Sequence, residues 1–331
     1  MNHRERMNAL LRGAPTDRVP VALWRHFPND DLHAATHAAR AVEFQNQFDF
    51  DFVKVTPAAG YPAEMYGAQL ASKNNREGTR AYLSRPVNAP ADWDKIAPLD
   101  ESNFVFQRET ATLKLIRAQL GNDVHILQTI FSPLYSAGNL AGERMLNDLR
   151  AQPDALHRAL NAITATTIQF ARACLRAGAD AIFFATQMAS RQVVNETEFA
   201  EFGERYDRQV IEAVRGAKPA FILLHIHGFD IYFERLARWD VDILNWHDRR
   251  TAPSLRDAAE ILRSAQNNKI LLGGINEWDT LANETPQAIR AEARDAIAQI
   301  GGRGFVLGAG CVIPIDAPME NVQAARDAIA N

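Results

Sequence analysis

The sequence predicts an α/β protein built as a (β/α)8 barrel, the TIM-barrel architecture. Short apolar runs, rich in β-branched residues or Phe, alternate with longer segments of helical periodicity, a pattern typical of parallel strands joined by right-handed helical crossovers. Eight such runs occur within 331 residues, which is the size of a (β/α)8 barrel. Polar residues cluster just after these runs, at the end where such a barrel assembles its functional rim.

The predicted strands, in chain order, are residues 19–23, 52–56, 124–129, 181–186, 221–227, 241–246, 270–275 and 305–311. A helix over about 4–11 precedes them, and the clearest later helical patterns are 154–177, 196–215, 254–265, 286–300 and 319–329. We expect one barrel domain over 1–331. The segment at about 67–98, rich in Asn, Pro and charge, is expected to be an insertion over the barrel, because it has too little apolar material to fold alone.

Composition limits the functional classes. The chain is 47% hydrophobic and 23% charged with a net charge of -4, and it has no long basic run, so neither nucleic acid nor an anionic membrane is an expected partner. The charged N-terminus and the lack of a long apolar stretch predict neither export nor membrane insertion, and hence a cytoplasmic protein with a small-molecule substrate. The two cysteines predict no disulfide framework, and Cys174 is expected to pack in the core.

The fifth predicted strand ends in two histidines, His225 and His227. Side chains two residues apart on a strand point to the same face. Cys311 ends the last predicted strand, so in one parallel barrel the three side chains would meet at the carboxyl-terminal mouth. Two imidazoles and one thiolate suit zinc with an open fourth position. The alternative is a chance grouping of rim residues in which each His is only a hydrogen-bonded core residue.

Two further rim residues are candidates for catalysis. His247 is followed by Asp248, which could orient its ring, although the pair could instead cap the helix that begins near Ser254. Glu277 follows the seventh strand and is a candidate fourth ligand or general base, with a solvated carboxylate at a helix start as the alternative.

The candidates for substrate binding come from two other strand ends. Trp24, Arg25 and His26 follow the first strand and offer charge and stacking to an anionic or aromatic ligand. A surface salt bridge is the alternative for Arg25. Gln187 follows the fourth strand and is also proposed as a pocket residue.

Over nearly its whole length, the chain resembles the uroporphyrinogen decarboxylase superfamily. The resemblance is densest in residues 307–323, where a Gly-rich strand end is followed by Pro, an acidic residue, Pro, and Glu-Asn-Val at the start of the last helix. The superfamily implies the same barrel fold. It has two main functional branches, which are the haem-pathway decarboxylases and the zinc-dependent corrinoid methyltransferases.

The chain departs from the decarboxylase branch at three motifs. That branch has an Arg-Gln-Ala-Gly-Arg-Tyr segment, of which only Arg25 is matched here, and a Phe-Ser-Asp segment, whose Asp is missing from residues 53–57. Its Leu-Gly-His-Gly segment has Ala309 in place of the His. A tetrapyrrole carboxy-lyase of porphyrin biosynthesis is therefore the alternative hypothesis. A non-catalytic binding protein built on the same rim is a third.

The methyltransferase branch carries His-x-Cys on the fifth strand and Cys on the eighth, and His225, His227 and Cys311 fall on those positions. The departure is His227 in place of Cys, which leaves the nature of the acceptor open. The resemblance implies a zinc-dependent enzyme that moves a methyl group between a methylated corrinoid protein and a small acceptor, a thiol or a folate. The chain has no Asp-x-His-x-x-Gly segment for binding cobalamin, so the corrinoid is expected on a partner protein. A homodimer fits the superfamily, but the sequence leaves the oligomeric state open.

Overall fold

The computed structural model describes residues 1–329. Its strands are β1 (Val21–Ala22), β2 (Phe52–Val55), β3 (Gln69–Ser72), β4 (Arg80–Ser84), β5 (His125–Phe131), β6 (Ala181–Thr186), β7 (Ile222–Ile226), β8 (Ile243–Trp246), β9 (Ile270–Ile275) and β10 (Phe305–Ala309). Eight of them form one parallel sheet in the order β1-β10-β9-β8-β7-β6-β5-β2. Each overlaps one of the predicted strands, so the barrel prediction is confirmed.

A buried carboxylate joins the two edge strands and closes the barrel. The Asp51 amide donates to the Val21 carbonyl at 2.9 Å, and the Asp51 carboxylate accepts from the Val21 amide at 2.7 Å. Arg6 and Arg18 each donate to this carboxylate at 2.6 Å. Burial raises the pKa of Asp51, but the hydrogen bonds from His3 and Arg18 outweigh it, and the pKa lies below its ordinary value. A charged side chain thus completes a ring that the short strand β1 leaves open.

Helices surround the sheet. They are α1 (His3–Leu11), α2 (Ala34–Phe48), α3 (Tyr61–Glu64), α4 (Phe104–Leu120), α5 (Pro133–Ala141), α6 (Arg144–Ala151), α7 (Pro153–Arg176), α8 (Glu196–Glu198), α9 (Arg205–Gly216), α10 (Phe233–Leu236), α11 (Leu255–Ser264), α12 (Thr280–Asn283), α13 (Pro286–Ile300) and α14 (Met319–Asp327). A π-helical turn, Phe199–Glu204, joins α8 to α9 inside the predicted helix 196–215. Between residues 1 and 329, no helix is both long and apolar enough to cross a membrane.

Local sequence signals explain where these helices begin and end. Helix α13 begins at Pro286, whose fixed φ suits the first turn, and the preceding Thr285 hydroxyl accepts from the Ala288 amide. It ends at Gly301, which adopts φ 74° in the left-handed region that favours glycine. Helix α11 is likewise capped by the Ser254 hydroxyl. Such boundaries fix the lengths of the loops that follow the strands.

Aromatic rings fill the barrel interior. The Phe52 ring of β2 lies 6.4 Å from the ring of Phe221, which immediately precedes β7. Because β2 and β7 are not paired in the sheet, this contact crosses the interior. Trp24 packs on Phe52 at 6.3 Å and on Phe183 of β6 at 5.4 Å. The rings form a solid floor beneath the rim, so ligands can enter only from the mouth.

The segment predicted as an insertion lies against the barrel. Strands β3 and β4 form an antiparallel hairpin, and a 3₁₀ turn, Pro90–Lys95, follows them. Trp93 of this turn is fully buried and donates its indole N–H to the Asp148 carboxylate of α6 at 2.8 Å. The hairpin turn reaches the loop after β10, where the Ile315 amide donates to the Arg76 carbonyl at 2.8 Å. That the segment and the barrel form one domain stays a prediction.

Candidate metal centre and ligand cavity

Four nitrogen- or sulfur-bearing side chains converge at the carboxyl-terminal rim. His225 lies in β7, His227 follows β7, His247 follows β8, and Cys311 follows β10. One ligand atom from each lies within 4.8 Å of the others. The parallel register brings the strand ends together, pairing His225 with Asn245 of β8. The structure therefore brings together the three predicted metal ligands and adds His247 to them.

Three of the distances among these atoms are close to those between ligands of one tetrahedral metal ion. Cys311 Sγ lies 3.5 Å from His225 Nε2 and 3.7 Å from His227 Nδ1. His227 Nδ1 lies 3.2 Å from His247 Nε2. Ligands bound to tetrahedral zinc at about 2.0–2.3 Å are separated from one another by about 3.3–3.8 Å. The donor set therefore suits zinc, and these three distances are close to that spacing, while all four atoms lie within 4.8 Å of one another. His247 is the additional donor beside the three predicted ligands.

Asn245 fixes the orientation of His225. Its side-chain N–H groups donate to two backbone carbonyls, those of Leu272 at 3.1 Å and Ala309 at 3.0 Å. Its side-chain oxygen, which can only accept, lies 2.7 Å from His225 Nδ1. His225 must therefore carry its proton on Nδ1, which leaves the Nε2 lone pair facing Cys311. The sequence analysis assigned no role to Asn245. A polar residue near the end of an apolar strand could have indicated a contribution to the site.

Glu277 fixes the orientation of His247 in the same way. Its carboxylate, which is only 1% exposed, lies 2.7 Å from His247 Nδ1. Glu277 therefore contacts the ring nitrogen that faces away from the donor group and is not part of that group. His247 contributes the fourth donor atom. Gly310 packs closely against both residues. A Cβ at this position would lie 2.8 Å from the His247 Cα and 3.1 Å from Glu277 Oε2.

Asp248 performs neither of the tasks considered for it. Both of its oxygens lie 3.1 Å from the Gly274 amide, which donates to them, and burial raises the pKa of Asp248 to about 7. The cap of helix α11 is Ser254, and the carboxylate that orients the His247 ring is Glu277. Asp248 instead fastens the end of β8 to β9.

His225, His227 and Cys311 are uncharged when no metal is bound. Burial lowers the pKa of His227 to about 3 and that of His225 well below its ordinary value, so both imidazoles are neutral at physiological pH. Burial also raises the pKa of the Cys311 thiol to about 12. Neutral imidazole is the form that binds metals, and a bound divalent cation deprotonates a coordinating thiol.

A cavity of about 240 Å³ opens beside the donor group. Trp24, His26 and Gln187, three of the predicted substrate-binding residues, line it. Arg25 does not. Its guanidinium donates to the Ile315 carbonyl and lies 5.8 Å from the Phe27 ring, outside this cavity.

Sequence reasoning missed Lys54, which also lines the cavity. Its ammonium group lies 4.5 Å from the centre of the Phe183 ring and donates to the Thr56 hydroxyl at 3.2 Å. Burial lowers the pKa of Lys54 to about 7. The available signal was one charged residue inside an otherwise apolar barrel strand.

Comparison with known proteins identifies the family. The family model described as uroporphyrinogen decarboxylase (URO-D) matches residues 2–331. The chain belongs to the uroporphyrinogen decarboxylase family. This confirms the resemblance inferred from its sequence.

Individual relatives come from both functional branches. The methylcobamide:CoM methyltransferase MtbA of Methanosarcina mazei is 21% identical, across 97% of this chain and 95% of its own length. The uroporphyrinogen decarboxylase of Trichodesmium erythraeum is 24% identical, across 75% of this chain and 69% of its own. A solved structure, a methyltransferase from Methanosarcina mazei, superposes with a TM-score of 0.82 at 22% identity and covers 99% of this chain and 98% of that one. Similarity to the methyltransferase thus extends over more of the chain.

Proposed function

We propose that this protein is a zinc-dependent methyltransferase that moves a methyl group between a methylated corrinoid protein and a small acceptor, a thiol or a folate. The observation that carries the proposal is the group of one sulfur and three nitrogen atoms that lie within 4.8 Å of one another beside the cavity. The similarity to methylcobamide:CoM methyltransferases over 97% of the chain supports it. In this proposal the corrinoid arrives on a partner protein.

The proposed zinc ligands are His225, His227 and Cys311. Zinc bound there would supply a Lewis acid that favours the ionised form of a coordinated thiol. Asn245 contributes by holding His225 in the tautomer whose Nε2 lone pair is free.

His247 and Glu277 are proposed as the proton-handling pair. With Nδ1 bonded to Glu277, the ring presents Nε2 to the donor group and can accept the proton of the incoming acceptor there. The Glu277 carboxylate then stabilises the imidazolium that forms. The deprotonated acceptor attacks the methyl carbon, and the electron pair of the broken bond stays on the corrinoid that leaves.

The alternative function is decarboxylation of a tetrapyrrole. The similarity to a uroporphyrinogen decarboxylase is the reason to consider it. A cavity of about 240 Å³ suits a small acceptor far better than a macrocycle with several acid side chains. Ala309 also carries no polar side chain where the decarboxylases have a histidine.

The first experiment measures metal in protein purified without a histidine tag or a chelator. We expect about one zinc per chain, and its loss in the His225→Ala/His227→Ala variant. Cys311→Ser should lose zinc and methyl transfer together. If the wild-type protein contains no metal, or if Cys311→Ser keeps full occupancy, the proposed centre is wrong and tetrapyrrole decarboxylation becomes the activity to assay.

A second variant separates the two roles open to His247. His247→Gln should keep its zinc but lose transfer of the methyl group from methylcobalamin to a thiol, because it removes the proton acceptor. Loss of zinc from this variant would instead make His247 a ligand. His157→Gln is the control, since His157 is a half-buried histidine that contacts Tyr206, outside the site.

A further inference from the structure

Lys54 is a buried basic residue for which residues 1–329 provide no counter-charge. Only 9% of the residue is exposed, yet within residues 1–329 no carboxylate oxygen lies within ion-pair distance of its ammonium nitrogen. The other buried basic residues are paired, Arg6 with Asp51 and Arg80 with Asp31. In the described part of the chain, Lys54 forms one hydrogen bond, to the neutral Thr56 hydroxyl. Since buried charges are normally paired, the counter-charge of Lys54 is expected from outside the chain.

Two further buried nitrogen atoms, on residues that line this cavity, have no hydrogen-bond partner among residues 1–329. Trp24 Nε1 and His26 Nδ1 are buried, and neither forms a hydrogen bond with any described residue. Both residues line the cavity together with Lys54. The indole ring of Trp24 lies 5.7 Å from the Lys54 nitrogen. An anion bound here would give an acceptor to the indole N–H of Trp24, which otherwise has none among residues 1–329.

The surroundings of Lys54 connect it to the metal centre. The Phe183 ring contacts the Lys54 nitrogen and also stacks on His225, with ring centres 5.4 Å apart. The only carboxylate among the residues lining this cavity is that of Glu77, which is exposed in the hairpin turn at the mouth. A short molecule can therefore reach Lys54 with one end and the donor group with the other.

We propose that Lys54, with the indole N–H of Trp24, forms a subsite for the acid group of the small molecule that enters the cavity, a carboxylate or a sulfonate. As a statement about the methyl acceptor, this rests on the proposed function. As a statement about binding, it does not, because the anion contacts nitrogen atoms of the chain and no metal. A negative group beside the Lys54 nitrogen favours its protonated form and stabilises the bound state.

Binding of matched ligands by calorimetry tests the subsite. The probes are 3-mercaptopropionate and 2-mercaptoethanesulfonate, with 2-mercaptoethanol as the neutral thiol. Propionate and propionamide form a second pair without sulfur. We expect each acid to bind about tenfold or more tightly than its neutral counterpart, as for a hydrogen-bonded charge. The acid that binds more tightly identifies the group that the subsite prefers.

Lys54→Met removes the charge with little change in volume, and Lys114→Met, on the exposed surface of α4, is the matched control. We expect Lys54→Met to abolish the preference for acids while its affinity for 2-mercaptoethanol and its zinc content stay unchanged. Equal zinc content demonstrates that the rim has remained folded, and Lys54→Gln provides a second neutral variant.

The two proposals fail separately. Absence of metal from the protein would remove the zinc mechanism, yet the preference for propionate over propionamide and its dependence on Lys54 would still stand. A protein that binds zinc but shows no preference for either acid has no anion subsite. A preference that persists in both Lys54 variants would also overturn the inference.

Discussion

Replacing Asn245 by leucine tests whether the orientation of His225 controls metal affinity. The substitution removes the acceptor that fixes His225 Nδ1 and also the N–H groups that satisfy two backbone carbonyls. Loss of a residue that orients a ligand typically lowers metal affinity about 10–100-fold, or roughly 1.4–2.8 kcal/mol. Each buried carbonyl left without a donor costs about 1–3 kcal/mol of folding stability.

Asn321 provides the matched control. Its buried side chain also donates to two backbone carbonyls, those of Leu281 at 2.9 Å and Glu284 at 2.8 Å, but its oxygen contacts no described side chain. Asn321→Leu should therefore destabilise the protein about as much as Asn245→Leu does. Only Asn245→Leu should weaken zinc binding.

Competition with a chromophoric zinc chelator measures affinity, and urea unfolding of the same samples measures stability. The reasoning predicts equal losses of stability and unequal losses of affinity. If both variants lose affinity equally, general loosening of the barrel is the cause and Asn245 has no orienting role. If Asn245→Leu keeps wild-type affinity, the tautomer argument for His225 is refuted.

Three further predictions concern the frame around the site. Asp51→Asn should lower the free energy of unfolding by about 3–5 kcal/mol, because it removes the buried charge that pairs with both Arg6 and Arg18. Since the pKa of Asp51 is lowered on folding, this difference is full at neutral pH and should shrink as pH falls below about 4; denaturant unfolding across pH 3–7 measures it, and a constant difference would contradict the charge argument. Gly310→Ala should reduce zinc content, because its Cβ would meet His247, whereas Gly216→Ala in α9, with open space around its Cβ, should not; metal analysis of the two variants gives the answer. Trp93→Ala should cost about 3–5 kcal/mol and leave a single unfolding transition by calorimetry, while two transitions would show that the insertion unfolds independently.

The fold was predictable because strand signals recur along the whole chain. An apolar run between helical patterns has one common solution, a parallel strand, and eight of them fit a closed barrel. The convergence of His225, His227 and Cys311 followed from strand-end positions alone. The sequence could not reveal that His247 lies 3.2 Å from His227, because that distance depends on how far β8 and β7 extend at the rim.

The cavity is lined by Lys54 and not by Arg25, which the sequence analysis predicted, and the difference has a physical reason. Strand β1 ends at Ala22, so no pleat fixes the direction of Arg25, whose side chain turns to the Ile315 carbonyl. Lys54 lies within β2, two residues from Phe52, and the period of two places both on the interior face. Counting alternation within the predicted strand would have found it. The contact with Phe183 could not be counted in this way, because it joins two separate strands.

The donor group and the residues that orient it lie between His225 and Cys311, whereas Trp24, Lys54, Phe183 and Gln187 all precede them in the chain. Most residues proposed to contact the substrate thus precede the proposed metal ligands in the chain, although Trp278 and Val312 also line the cavity. Substitutions in the stretch before His225 can alter which molecule is accepted without disturbing the reactive centre, and a chimaera that joins this stretch to the remainder of a different relative is a direct way to exchange one property at a time. A barrel divided in this way offers a simple route to new specificities.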